Sequence, residues 1–125
     1  MLGEEIIMGI TYIEGQVRGP TTGKQQSVKF LIDSGATYSL LPKAVWESIE
    51  LKPKRKIEFT LADGSRVERA VSEVYIILPQ GEAHTPVILG EEKDDEALLG
   101  VVTLEILGLV FNPFTRTLQP MRMLL

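Results

Sequence analysis

Cysteine is absent from the chain, and histidine and tryptophan occur once each, as His84 and Trp46. Without thiolates there is no disulfide, no Cys nucleophile and no thiolate zinc site, and one histidine cannot build a multi-His metal centre. The lack of Cys fits a reducing compartment, so a cytoplasmic location is expected. Long hydrophobic runs are also missing: the greasiest stretch, Leu98 to Phe111, is too short for a bilayer and carries Glu105. The first residues, Met1-Leu2-Gly3-Glu4-Glu5, are acidic where a secretory signal is basic, and no export signal is read there. Positive charge is not in surplus either. A net charge of −4 and a pI near 5.0 argue against general attraction to nucleic acid or an anionic membrane.

What is present is enough for one core. A chain of 125 residues is expected to form a single domain, 1–125, burying roughly two-thirds of its unfolded surface. Neither a cofactor nor a disulfide is required to account for its folding. No internal repeat or low-complexity segment appears.

The organising stretch is Phe30-Leu31-Ile32-Asp33-Ser34-Gly35-Ala36-Thr37. Three apolar residues read as a buried strand that runs directly into a carboxylate, a hydroxyl and a residue without Cβ. Asp is a poor strand residue and is costly to bury unless it is hydrogen-bonded or paired, so a strand aimed at Asp33 has either a turn-forming or a chemical reason. Taken alone, Asp33-Ser34-Gly35 is a tight turn.

Around it the chain reads as mainly β. Residues 6–18 suggest one or two strands interrupted near Glu14-Gly15, and the turn cluster Gly19 to Gly23 closes a hairpin onto Val28–Ile32. Pro42 to Ile49 reads as a short helix started by Pro42, with Val45, Trp46 and Ile49 on one face and Trp46 in the core. The basic run Lys52 to Lys56 reads as a solvated loop rather than a nucleic-acid contact.

Strict alternation in Ile57–Leu61, then Ala62-Asp63-Gly64, then alternation again in Ser65–Val71 is a hairpin signal. A three-residue loop with Gly64 left-handed sets Phe59 opposite Val67, at the cost of Glu58 facing Glu68, whereas a two-residue loop sets Glu58 opposite Arg69; the first is expected, since apolar matching outweighs one exposed ion pair. Glu73–Leu78 reads as a further strand stopped by Pro79-Gln80-Gly81. His84–Gly90 reads as another short one, with His84 at the surface or in a turn. The acidic run Glu91–Glu96 lacks the spaced ligands and central Gly of a calcium loop and reads as solvated. Leu98-Leu99-Gly100 leads into a mostly buried helix from Val101 that Gly108 caps. Leu109–Gln119 then reads as a closing hairpin, with Met121–Leu125 as a tail.

An apolar run into Asp-Ser-Gly-Ala, a hairpin about 30 residues later, and Leu98-Leu99-Gly100 before a helix together resemble the retropepsin-like aspartic proteases over about residues 6–119. The resemblance implies a small closed β-barrel or sandwich with a flap hairpin and one C-terminal helix, acting as a two-fold homodimer. It also implies catalytic roles for Asp33, Ser34 and Gly35, with Ser34 locking two such turns together across the dimer. Ala36 would keep the cleft floor small, and Ala62, Asp63 and Gly64 would form the flap tip over an extended substrate. One departure stands out: many viral members carry Arg directly after the second-motif Gly, and here that position is Val101.

The chemistry such a family performs needs two acids. Hydrolysing an amide without a metal or a covalent nucleophile requires one group to take a proton from water and another to give one. Two close carboxyls manage both, because they share one proton. With a single Asp-Ser-Gly, the second Asp33 has to come from an identical subunit. The expected activity is therefore cleavage of extended peptide or unfolded protein by a homodimer without cofactors. The alternative is a peptide-binding or scaffold module that keeps the fold without turnover. A serine hydrolase using Ser34 and His84 is disfavoured, since no GxSxG elbow exists.

Overall fold

The computed structural model describes residues 10–125. In chain order the elements are β1 (Tyr12–Arg18), β2 (Gln25–Ile32), β3 (Ser39–Leu41), α1 (Lys43–Ser48), β4 (Arg55–Thr60), β5 (Arg66–Leu78), β6 (Gly81–Leu89), β7 (Ala97–Leu99), α2 (Val101–Ile106), β8 (Leu109–Asn112) and β9 (Thr117–Pro120). The small closed β-barrel with a flap hairpin is what forms. Six strands pair in the order β1-β2-β7-β3-β6-β5, and β5 returns to β1 through Gln16↔Ile77, Val17↔Ile76 and Arg18↔Tyr75. Closure leaves those six strands without a free sheet edge. β4 lies outside the ring, paired only with β5.

The alternation in each strand fills the barrel. Val17, Phe30, Leu41, Val74, Ile76, Val87 and Leu99 are all buried and form one cluster. α1 lies over this core through Val45 and Trp46, and Ile49, just past its end, is 1% exposed. The Trp46 indole N–H is satisfied by the Gly90 carbonyl at 2.9 Å, as a half-buried indole requires.

Several expectations are corrected. Residues 6–9 of the anticipated first strand lie outside the described residues, but β1 runs unbroken through Glu14-Gly15, with Gly15 opposite Val28. Gly15 permits a close approach instead of a break: a Cβ there would stand 2.9 Å from the Ile77 carbonyl oxygen and 2.7 Å from Leu78 Cδ2. Residues 66–78 form one 13-residue strand, not two. Its buried face switches from odd to even positions at Val71-Ser72, where the strand leaves β4 and enters the barrel, and a switch of phase mimics an end.

β6 is likewise longer than anticipated, at 9 residues, and holds His84 in mid-strand on the surface, edge-to-face with Tyr75. Pro42 immediately precedes the first helical residue of α1. α2 is six residues long and buries only Thr103 and Leu104. It is not mostly buried, because one face rests on β6 and β3 while Glu105 and Ile106 point to solvent. Gly108, at φ +68°, ends it as expected. β8 and β9 close the chain as a separate two-stranded sheet, and Met121–Leu125 follow as an irregular tail. Among the described residues no helix is long and apolar enough to cross a membrane.

Candidate active site

β2 delivers Asp33 to the barrel's end, and the backbone fixes it there. β2 and β7 run parallel with Ile32 opposite Leu99, and the next amide, that of Asp33, donates to the Leu99 carbonyl at 3.0 Å. The chain then reverses. Ala36 N–H donates to the Asp33 carbonyl at 3.1 Å, and Gly35 N–H donates to Asp33 Oδ1 at 3.0 Å. The tight turn read from sequence is therefore real, and its side chain is anchored by its own loop. Asp33 is half-buried, while Ser34 and Gly35 are exposed.

The turn is bolted to α2. The first two amides of that helix, which have no partner inside it, donate to Ala36 O (Val101, 2.9 Å) and Thr37 O (Val102, 2.9 Å). Gly100 makes the approach possible. A Cβ there would fall 2.6 Å from the Tyr38 carbonyl carbon and 2.9 Å from Ser39 N.

Beneath this contact lies a cluster of hydroxyls that sequence reasoning missed. The Gly100 N–H donates to Ser39 Oγ at 3.0 Å. Ser39 Oγ and Thr103 Oγ1 are 2.6 Å apart, and Thr103 Oγ1 and Thr85 Oγ1 are 2.8 Å apart. All three side chains are at most 1% exposed. They join β3, α2 and β6 behind the Asp33 turn, and each buried hydroxyl has a partner, as burial demands. The available sequence signal was Thr85 standing in phase with the apolar Val87 and Leu89.

The β4–β5 hairpin has the register derived from sequence: Phe59 opposite Val67, Glu58 opposite Glu68, and Gly64 at φ +87°. Leu61 N–H donates to Ser65 O and Gly64 N–H to Leu61 O, closing the three-residue loop. At the tip, Asp63 Oδ1 accepts from the Ser65 hydroxyl (2.6 Å) and amide (2.9 Å), and these bonds hold the carboxyl below its ordinary range.

The loop-proximal end of the hairpin packs over the Asp33 loop, where the Phe59 and Tyr38 rings meet edge-to-face at 5.9 Å. Between loop and hairpin is a cavity of about 260 Å³ lined by Ala36, Tyr38, Leu40, Phe59, Val67 and Leu98, among others. Of the residues singled out from sequence, Ala36 lines this cavity. Asp33, Ser34 and Gly35 lie next to it in the chain, and Ala62, Asp63 and Gly64 are exposed at the tip without lining it. Arg69, a further lining residue, is held by Glu91 at 2.7 Å; the acidic loop was read only as solvated. Among the described residues no three His, Asp or Glu side chains converge as metal ligands would.

A family model described as "gag-polyprotein putative aspartyl protease" matches residues 20–105, from the β1–β2 turn into α2. The chain belongs to this aspartyl protease family. Solved structures agree at the level of fold. The protease of Simian Foamy Virus (mac) is similar with a TM-score of 0.56 and 20% identity, covering 77% of this chain and 93% of that one. EIAV protease complexed with the inhibitor HBY-793 gives 0.58 and 20%, covering 79% and 88%. A retropepsin-like aspartic protease from Rickettsia conorii gives 0.54 and 23%, covering 78% of each chain. No curated protein matches the chain in sequence. The fold is thus shared by viral and bacterial aspartic proteases.

Proposed function

We propose that the chain is an aspartic endopeptidase acting as a homodimer on extended peptide or unfolded protein, with one Asp33 from each copy. The observation that carries this reading is the placement of Asp33. A carboxylate stands at a strand's end, its amide donating to the Leu99 carbonyl and its Oδ1 accepting from the Gly35 amide, in the loop whose Ala36 lines a cavity under the hairpin. A purely architectural turn has little use for such a roof.

In the proposed reaction the ionised Asp33 takes a proton from water as the water oxygen bonds to the scissile carbonyl carbon. The protonated Asp33 of the second copy gives its proton to the carbonyl oxygen. As the resulting diol collapses, one hydroxyl gives its proton to the second copy's Asp33 while the first Asp33 protonates the leaving nitrogen, so the C=O bond reforms, the C–N bond breaks and both acids return to their starting states. Ser34 would hydrogen-bond the two turns together, Gly35 would admit the partner's backbone and the substrate, and Ala36 would keep the floor low. Ala62, Asp63 and Gly64 would clamp the substrate strand through backbone hydrogen bonds. The whole chain, 1–125, is taken to work as one domain in the cytoplasm, with no cofactor.

The deciding experiment compares the native chain with Asp33→Asn on an unfolded protein at mildly acidic pH. The variant should lose cleavage by at least about a thousandfold while light scattering gives an unchanged particle mass. Equal activity would end the acid mechanism. Peptide capture by the native chain without any product would instead support a binding module.

A further inference from the structure

The cavity under the hairpin is apolar on almost every side, with Leu40, Phe59, Val67, Ile88 and Leu98 among its walls. Arg69 alone among its lining residues is charged, and its side chain is only 19% exposed. A guanidinium so shielded keeps much of its field, and alone in such a pocket it would draw a carboxylate. It already has one. Arg69 Nη1 lies 2.7 Å from Glu91 Oε2 as an ion pair, and Glu91, which is 55% exposed, does not line the cavity. At about 260 Å³ the space falls below the range of drug-sized ligand sites and suits one side chain. A peptide lying extended between loop and hairpin would offer it one, since alternate residues of a strand face the same way.

We infer that Glu91, by keeping Arg69 neutralised, makes this cavity refuse an acidic side chain of the bound peptide. The inference rests on the peptidase reading above. Specificity here comes from what is withheld: with its charge already paired, Arg69 offers nothing to an acidic side chain, and burying that acid in an apolar pocket is costly. In Glu91→Gln the wall keeps its shape and gains one unpaired positive charge. Peptides with a Leu at the seated position would then lose little, while those with a Glu would gain an ion pair.

The test reads binding in the full-length Asp33→Asn chain, so that turnover plays no part. Fluorescein-labelled extended peptides carry Leu or Glu at one position, moved residue by residue along the peptide, and anisotropy gives each Kd. One position should favour Leu over Glu. Adding Glu91→Gln should shift that ratio toward Glu by about tenfold, the scale of one charge pair in a shielded site. Glu91→Ala provides a second route to an unpaired Arg69, and Arg69→Met added to either should cancel the shift, which a merely structural role for Glu91 does not predict. An unchanged ratio in both Glu91 variants, or no peptide binding at any position, overturns the inference. Cleavage by the native chain is scored separately: a binding shift without any cleavage overturns the peptidase reading and leaves the side-chain site standing.

Discussion

At the residue scale, two glycines of the site are required for different reasons. Gly100 is required by the fold, because a methyl group there meets backbone at 2.6–2.9 Å on three atoms, and backbone cannot turn aside as a side chain can. Gly35 is not: a Cβ there meets only its neighbour's Asp33 Oδ1, at 3.3 Å. Gly100→Ala should therefore cost about 1–3 kcal/mol of stability, as overpacking does, measured by urea unfolding. Gly35→Ala should stay within about 1 kcal/mol of the native chain and yet lose peptidase activity, since what it crowds lies outside the chain. If Gly35→Ala proved the less stable of the two, the close contact at Gly100 would not be what limits stability there. The motif residues were legible because a strand running into Asp-Ser-Gly is a local pattern. Arg69 was not, although it stands in phase with Val67 and Val71 on one strand face: its partner Glu91 is 22 residues away, in a run whose composition reads as solvated.

At the scale of elements, the Phe59–Val67 register could be derived because a short loop and an apolar face select the same pairing. The hydroxyl cluster could not. Ser39, Thr85 and Thr103 are separated by 64 and 18 residues along their two links, and a hydroxyl carries no periodic signal. Its effect is to hold three elements behind the Asp33 turn. Thr103→Val keeps the shape and removes the hub, leaving Ser39 and Thr85 hydroxyls short of a partner, so a loss of about 1–3 kcal/mol is expected in chemical denaturation. Thr85→Val made on top of it should add less than it costs alone, because the Thr85–Thr103 bond is already gone and only the 3.2 Å bond to the Pro86 carbonyl is left to lose. Strict additivity of the two would mean that the hydroxyls are not coupled. The long β5 was misread for a related reason, since a change of buried face at Val71-Ser72 looks in one dimension like a strand that stops.

For the whole molecule, barrel and hairpin were readable as a topology, whereas association is proposed from chemistry alone. In the proposed mechanism one acid per chain is not enough, so activity should depend on two chains meeting. Apolar side chains remain on the outer surface near the chain's end: Val110 is 47% exposed and Phe114 84%. Activity per chain should fall on dilution and level off at high concentration, with the midpoint matching the dimer dissociation constant from sedimentation. Constant specific activity at the mass of one chain would exclude the two-copy mechanism.

β5 belongs to the ring at one end and to the overhanging hairpin at the other, with no joint between them. A cover mounted like this behaves as a cantilever and not as a door. Any lifting would be a bend along its length, least near the barrel and most at Asp63, so in the proposed enzyme the stiffness of the β4–β5 ribbon would set how readily a peptide enters.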